Sequence, residues 1–427
     1  MIALLAVTLT VSAAAGTPPV LTLDEALQAA RQNNLDLKIA RARLEQSALL
    51  SRRAWAGYLP TVAVAGTYTR NVNEVALTLP GTPPGTPPIV IQPLNQFGAQ
   101  AEVRQAILAP ALWPAIRNAG IAEDVAELST ENARREILFA VAQSYFGAAS
   151  LQEAIRATQF LLEVNTAREA DTKKRFEAGT VTKVALLRSQ LDRTRAEQDL
   201  VRSRNAYASA KLSLATLIQR DADFTVELPP VPSVPSAEED LAKQALEQRP
   251  DVAAARRNLD LALGRRQGAW FAYAPSVGFS GVYRLSNAAG FAGRNDTWAL
   301  TLSAQWVLWD GGVREINLRE ESARVAEASA QQKQSEARAT EEVARARLEY
   351  ENAQANLSKA EEALSLARET QRLTEISFKA GVATYLEVAD ANAALTGAEV
   401  GAINERLQTS LAALRLLRSA GLFAAKE

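Results

Sequence analysis

Glu387 and Asp390 lie three residues apart, one helical turn, so both carboxylates leave the same face of a helix. A carboxylate pair can serve general acid–base chemistry, as in glycoside hydrolysis, or attract cations into a pore. It can also simply solvate an exposed face. The rest of the chain narrows this choice. The 427 residues include no Cys, no His and a single Met, Met1. Thiol nucleophiles, imidazole triads, Cys/His zinc sites and a protein-lined transition-metal relay are thereby excluded. A carboxylate-only glycosidase needs a compact core and a pocket, and the long helical seams leave little chain for either. No enzyme activity, cofactor or metal is expected. Lys+Arg number 47 against 48 Asp+Glu, with no basic run, so no nucleic-acid partner is expected either.

A second constellation is a repeated turn. Arg175-Phe176-Glu177-Ala178-Gly179 parallels Ser377-Phe378-Lys379-Ala380-Gly381. A Gly after an aromatic residue, between two long helical stretches, supplies the left-handed backbone that ends a helix. Alone, this describes an ordinary helical hairpin.

These sites are set in a chain that repeats itself once. Ala54-Trp55-Ala56-Gly57-Tyr58-Leu59-Pro60 recurs as Ala269-Trp270-Phe271-Ala272-Tyr273-Ala274-Pro275, and Gln105-Ala106-Ile107-Leu108 parallels Gln305-Trp306-Val307-Leu308. Fixed-order self-similarity of this kind marks a duplicated unit. Repeat 1 runs over about 20–220, a Pro-rich linker over about 221–236, and repeat 2 over about 237–420. The first copy carries a Pro-rich insert between Arg70 and Gln96, the composition of a long exposed loop. Before the repeats, Ile2 to Val11 are apolar and lead into Ser12-Ala13-Ala14-Ala15, so residues 1–15 read as a signal peptide. No later apolar stretch is long enough for a membrane helix.

Each repeat reads as helix, strand, loop, strand and two long helices. Asp24 is the expected N-cap of a first helix running toward Trp55. Strands are expected at about 61–70, 96–107, 276–285 and 297–308, where apolar and polar residues alternate. In the last, Trp298, Leu300, Leu302, Ala304 and Trp306 oppose Thr297, Thr301, Ser303 and Gln305. About ten residues is the length of a tilted outer-membrane strand, and Tyr58, Tyr273, Trp298, Trp306 and Trp309 suit its two aromatic girdles. A soluble antiparallel sheet with one wet face uses the same alternation.

From Arg117 to Phe176 and from Val313 to Phe378 no Pro interrupts about 60 residues, roughly 90 Å of helix. Val343, Ala346, Tyr350, Ala353, Leu357, Ala360, Leu364 and Ala367 form a heptad seam, hence left-handed supercoiling on a neighbour. Leu138, Val141, Tyr145 and Ala148 repeat the pattern, with Ile137, Ala140, Ser144 and Gly147 on an adjoining face. A helix packed on two sides fits the wall of a cylinder. Four strands in lipid cannot keep open edges, and the smallest membrane barrels have about eight strands, so several chains must close one.

In order along the chain, Leu23-Asp24-Glu25-Ala26-Leu27-Gln28-Ala29-Ala30, Gln248-Arg249-Pro250-Asp251-Val252 and Leu308-Trp309-Asp310-Gly311-Gly312 resemble the TolC-type outer-membrane efflux proteins. So do the two turns, the first including Thr180, and Leu386-Glu387-Val388-Ala389-Asp390-Ala391. The resemblance covers nearly the whole chain after the signal. It implies a mainly α fold with a membrane β-barrel portion, a homotrimer closing a 12-stranded barrel on an α-helical tunnel. It further implies an outer-membrane location with a long periplasmic portion. The protein would be a passive exit channel fed by an inner-membrane transporter through a periplasmic adaptor.

On that resemblance the tip turns at about 176–182 and 378–384 meet the adaptor, with Phe176 and Phe378 packed beneath them. Ala178, Gly179, Thr180, Ala380 and Gly381 then stay open to close approach. Glu387 and Asp390 become a ring of six carboxylates at the periplasmic mouth, a pore constriction. The first copy has Ala185 and Arg188 at the equivalent places, and Ala383 stands where relatives can carry an Arg that locks the closed tip. The competing class is a secreted coiled-coil scaffold, which needs neither membrane-length strands nor Trp at their ends. A periplasmic adaptor would instead show one helical hairpin between all-β halves.

Overall fold

The structure is a computed structural model that describes residues 19–81, 83, 85–235, 240–289 and 293–424. The expected signal peptide, residues 1–15, lies outside the described residues. The elements in chain order are β1 (Val20–Leu21), α1 (Leu23–Asn33), α2 (Leu35–Ala56), β2 (Thr61–Arg70), β3 (Val75–Leu77), β4 (Ile89–Gln92) and β5 (Asn95–Leu108). Then come α3 (Leu112–Glu177), α4 (Lys183–Ile218), β6 (Thr225–Val226), α5 (Leu241–Gln248) and α6 (Pro250–Phe271). The chain ends with β7 (Ser276–Ser286), β8 (Asp296–Gln305), α7 (Val313–Lys379) and α8 (Tyr385–Ser419). The order α1-α2-β2-β5-α3-α4 recurs as α5-α6-β7-β8-α7-α8, which is the duplication seen as structure. The described residues fall into two compact units, one of residues 19–40, 131–249 and 337–424, the other of residues 41–130 and 250–336.

The second unit holds a four-stranded antiparallel sheet in the order β2-β5-β7-β8. Its register aligns Val62 with Val103, Val64 with Ala101 and Tyr68 with Phe97, then Ala101 with Tyr283 and Val103 with Gly281. Across the next pair Phe279 faces Leu302, Gly281 faces Leu300 and Tyr283 faces Trp298. Directly opposite residues share a face, so the apolar residues of all four strands form one surface. Glu102, Arg104, Arg284, Thr297 and Thr301 fall on the other, where Arg284 Nε donates to Gln100 Oε1 at 3.2 Å. β2 and β8 are the sheet's two edges, and Val64 and Leu302 stay 79% and 71% exposed. Among the described residues of a single chain, β2 and β8 have no outer strand partner and the apolar surface stays largely exposed.

Aromatic residues cluster at both ends of the strands. Tyr68 meets Phe97 with ring centroids 5.1 Å apart, and Tyr283 faces Trp298 at a register four residues further along β5, opposite Ala101. At the other end Trp270 meets Tyr273, Trp113 meets Phe271, and Trp306 Nε1 donates to the Tyr273 carbonyl. Trp298 and Trp306 are eight residues apart, about 26 Å along the chain, which at a strand tilt of about 40° spans about 20 Å of the roughly 25 Å apolar band of an outer membrane. β8 stops at Gln305, short of the expected 308, because the Arg314 guanidinium takes the Val307 and Leu308 carbonyls that a ladder would have used. The Pro-rich insert is more ordered than a plain loop, since β3 and β4 pair in it as an antiparallel ribbon.

The first unit is helical. Leu138, Val141, Tyr145 and Ala148 of α3 are buried against Ala26 and Ala30 of α1 and Leu214 and Ile218 of α4. Val343 and Ala346 of α7 are buried with Leu241 and Ala245 of α5 and with Leu416 of α8 and its C-cap Ala420, the same arrangement in the second copy. Tyr145 is the largest wholly buried side chain, and its hydroxyl reaches the Leu21 carbonyl at 2.8 Å and that of Glu227 at 3.1 Å. That bond pins the β1–β6 pair to α3. The second packed face of α3 is not the expected Ile137/Ala140/Ser144/Gly147 stripe, whose residues are half-buried. Phe139, Ala142 and Phe146 take that role against Leu411 and Leu414 of α8, because the larger aromatic surfaces gain more from burial.

Two expectations about the first helix are corrected. Its N-cap is Thr22, not Asp24: Thr22 Oγ1 accepts from the Glu25 amide while Glu25 Oε2 accepts from the Thr22 amide, a capping box. The helix also breaks at Asn34 and does not run unbroken to Trp55. The buried Asn34 side chain accepts from the Leu37 amide and donates to the Leu217 carbonyl, so it starts a second helix and ties the break to α4.

Candidate functional site

The candidate residues gather where α3 turns into α4 and α7 into α8, all in the first unit. Both turns are built alike. In the first, the Gly179 amide bonds the Phe176 carbonyl at 2.9 Å and the Thr180 amide bonds that of Arg175 at 2.9 Å, with Gly179 at φ +71°. In the second, Gly381 bonds Phe378 at 3.0 Å and Val382 bonds Ser377 at 2.9 Å, with Gly381 at φ +78°. These are Schellman closures, which satisfy the last helical carbonyls and need a left-handed residue at that position. Three residues later Thr182 and Thr384 cap the next helix through their hydroxyls. Beyond its chain neighbours, no atom of the described residues lies within 4 Å of where a Cβ would stand on either glycine, so the turns are open on that side.

Ala178, Gly179, Thr180, Ala380 and Gly381 are all exposed. Phe176 is 37% exposed. Phe378 is half-buried, and the Arg175 guanidinium lies over its ring, 5.1 Å from the centroid. The cation crosses from one turn to the other, so the aromatic position of the second hairpin is used to hold the first.

Glu387 and Asp390 are both exposed and lie on one side of α8. Glu387 has a further task that its spacing to Asp390 did not reveal. It completes a capping box, with Oε2 accepting from the Thr384 amide at 2.6 Å and from the Thr384 hydroxyl at 2.9 Å. The Thr384 backbone bond, then its hydroxyl, hold the Glu387 carboxyl below the usual carboxylate range. A carboxyl with a lowered pKa stabilises the fold above its unfolded value, and the contribution is lost as pH falls through the lowered value. Protection of the first turn of α8 against amide exchange, taken relative to the intrinsic rate, is therefore expected to fall as pH drops below the ordinary carboxylate range. Hydrogen exchange at Leu386 and Val388, compared with Glu387→Gln, measures it; an acid-insensitive wild type would contradict it.

Sequence reasoning missed the group that joins the two hairpins. The Tyr385 hydroxyl donates to Asp192 Oδ2 at 3.2 Å, and Arg168 stands over the Tyr385 ring at 5.9 Å. Burial, then the Asp192 charge, push the Tyr385 phenol up, so it stays a donor at physiological pH. The one local signal was position: Tyr385 directly follows the Thr384 cap. Its partner is 193 residues away in the chain. Among the described residues no group of three or more acidic side chains is placed to hold a metal ion.

The arrangement offers an exposed pair of hairpin tips, an acidic face beside them and an amphipathic sheet with two open edges. The family model described as "Outer membrane efflux protein" matches residues 26–219 and 241–422. Against curated proteins there is no match. Among solved structures, the outer membrane protein VceC of Vibrio cholerae is 22% identical, with 93% of this chain and 96% of that chain covered and a TM-score of 0.75. The MtrE outer membrane channel of Neisseria gonorrhoeae, in an open state, is 19% identical, with 95% and 90% covered and a TM-score of 0.75. The CmeC outer membrane channel of Campylobacter jejuni is 18% identical, with 95% and 87% covered and a TM-score of 0.74.

Proposed function

This chain belongs to the outer membrane efflux protein family, and we propose that it is the passive exit channel of a tripartite efflux or secretion system. One observation carries the reading: the register puts four apolar stripes on one face of a sheet whose two edges are open. Lipid does not tolerate open edges. Three copies, each adding four strands, close a barrel of 12 by joining β8 of one protomer to β2 of the next. A secreted coiled-coil scaffold gives no reason for that surface or for its two aromatic rows. In the closed trimer the polar face of the sheet lines the bore, the lipid of the outer membrane contacts the apolar face, and the helical hairpins reach into the periplasm.

Conduction in this scheme needs no chemistry from the chain. An inner-membrane transporter supplies the driving force and a periplasmic adaptor joins it to the hairpin tips. Glu387 and Asp390 from three protomers form a ring of six carboxylates that favours cations. Tyr385, Asp192 and Arg168 hold the two hairpins of each protomer together behind that ring.

The deciding experiment is the mass of the native assembly extracted by detergent from the outer-membrane fraction. A trimer is expected; a soluble monomer or dimer absent from that fraction overturns the channel. Docking is tested at the tips. Ala178→Trp with Ala380→Trp adds bulk where the turns are exposed and leaves both glycines in place. Adaptor capture by the trimer is expected to fall at least about tenfold, the loss of about 1.4 kcal/mol of binding, with single-channel conductance unchanged. Undiminished capture would move the docking surface elsewhere.

A further inference from the structure

We propose that the second unit carries a built site for a zwitterionic phospholipid headgroup, one that pairs a phosphate with an ammonium. The inference rests on the membrane placement above. The site is a cavity of about 360 Å³ between α3, α6 and α7, roughly ten times the volume a water molecule occupies in the liquid.

Its lining is charged in a particular way. Arg265 lies at the exposed side and has no hydrogen bond or ion pair among the described residues. Two acceptor oxygens in the same lining are buried and lack any partner, Glu321 Oε2 and Asn118 Oδ1. The other oxygen of Glu321 is committed to Arg324 at 2.6 Å, and Arg314, also in the lining, is committed to Asp310 at 3.0 Å. Among the described residues of the lining this leaves one free cation and two free buried acceptors. A buried acceptor without a donor is costly, so the site calls for a ligand that brings its own donors. The Asn118 amide is held there because residue 264 is glycine: a Cβ would stand 1.9 Å from Oδ1.

A phosphate meets Arg265, and an ammonium on the same headgroup supplies N–H donors to Glu321 and Asn118. Neither inorganic phosphate nor a headgroup with glycerol alone offers both charges. The place suits a lipid. Gly268, Ala269 and Ala272 line the cavity, and Trp270 between them is 59% exposed and meets Tyr273 in the aromatic row. Near the same row Arg52, Arg53 and Arg266 are exposed and also unpartnered among the described residues, a basic belt at the level of lipid phosphates.

Native mass spectrometry of the delipidated assembly, resupplied separately with phosphatidylethanolamine, phosphatidylglycerol or inorganic phosphate, tests this. Retention of phosphatidylethanolamine about tenfold above phosphatidylglycerol is expected, the worth of roughly one charge-assisted contact. Glu321→Gln should bring the two lipids level, and Arg265→Gln should lower both. Equal retention by the wild type, or phosphatidylethanolamine retained undiminished by both variants, would overturn the proposal. Displacement of the lipid by an equal concentration of inorganic phosphate would overturn it too, as a bare phosphate site. The trimer mass in the same spectra reports on the channel separately, so a lipid-free trimer rejects this site alone.

Discussion

Neutralising Glu387 and Asp390 together, as Glu387→Gln with Asp390→Asn, is expected to cut the cation-over-anion permeability ratio of the channel by about tenfold. In the proposed ring, six carboxylates in one constriction would set a potential of several kT, and a change of about 2.3 kT is tenfold in local ion concentration. Gln at residue 387 is chosen because it can still accept from the Thr384 amide, as Glu387 does at 2.6 Å. Helix capping is then kept while charge is lost. Alanine there would confound the two. Selectivity from reversal potentials in planar bilayers reads the outcome, and an unchanged ratio would return both residues to a solvated helix face.

The same ring makes a pH prediction whose direction separates trimer from isolated chain. Within one chain the Thr384 bonds hold Glu387 below the usual range. Ring closure adds like-charge repulsion, which raises carboxyl pKa values and lets them protonate earlier as pH falls. Selectivity should therefore fade at a pH above the one at which the α8 capping turn loosens in a monomer.

The second large effect is expected at the sheet. Leu300→Arg places a cation in the middle of β8, on the apolar face opposite Gly281. A charge at the lipid-facing midplane of a barrel costs about 2–4 kcal/mol, and a trimer incurs it three times. Folded trimer recovered from the outer-membrane fraction should fall to a small remnant. Thr301→Arg, one residue on, points to the polar face and should assemble normally. If the two variants behave alike, the sheet does not have one face in lipid. If Thr301→Arg is the one that fails, the assignment of faces is reversed.

The contrast between Leu300 and Thr301 shows how much was legible from residues alone. Alternation in β5 and β8, the heptad seam through Val343 and Ala346, and the paired glycines Gly179 and Gly381 are local patterns with periods of 2 and 3.5 residues or a single backbone requirement. Local physics writes such features into consecutive residues. Duplication made each visible twice. The Asn34 break was missed because only half of its cause is local: the side chain caps Leu37, but its amide also reaches Leu217, 183 residues on. Thr22 was overlooked as N-cap for a different reason, since Asp24 satisfies the same composition rule and only the capping-box geometry decides between them.

The sequence by itself determined the elements, their duplication, the amphipathic character of each strand and the glycine-closed tips, because each follows from side-chain periodicity or one allowed backbone region. The tertiary structure alone decided that four apolar stripes share one face, which is a matter of register between distant strands. It also decided that Tyr385 meets Asp192, that Arg175 covers Phe378, and that Arg265, Asn118 and Glu321 share a cavity. Contacts between residues so far apart leave no period in the chain, and burial of a polar atom is a property of its neighbours rather than of its own residue type.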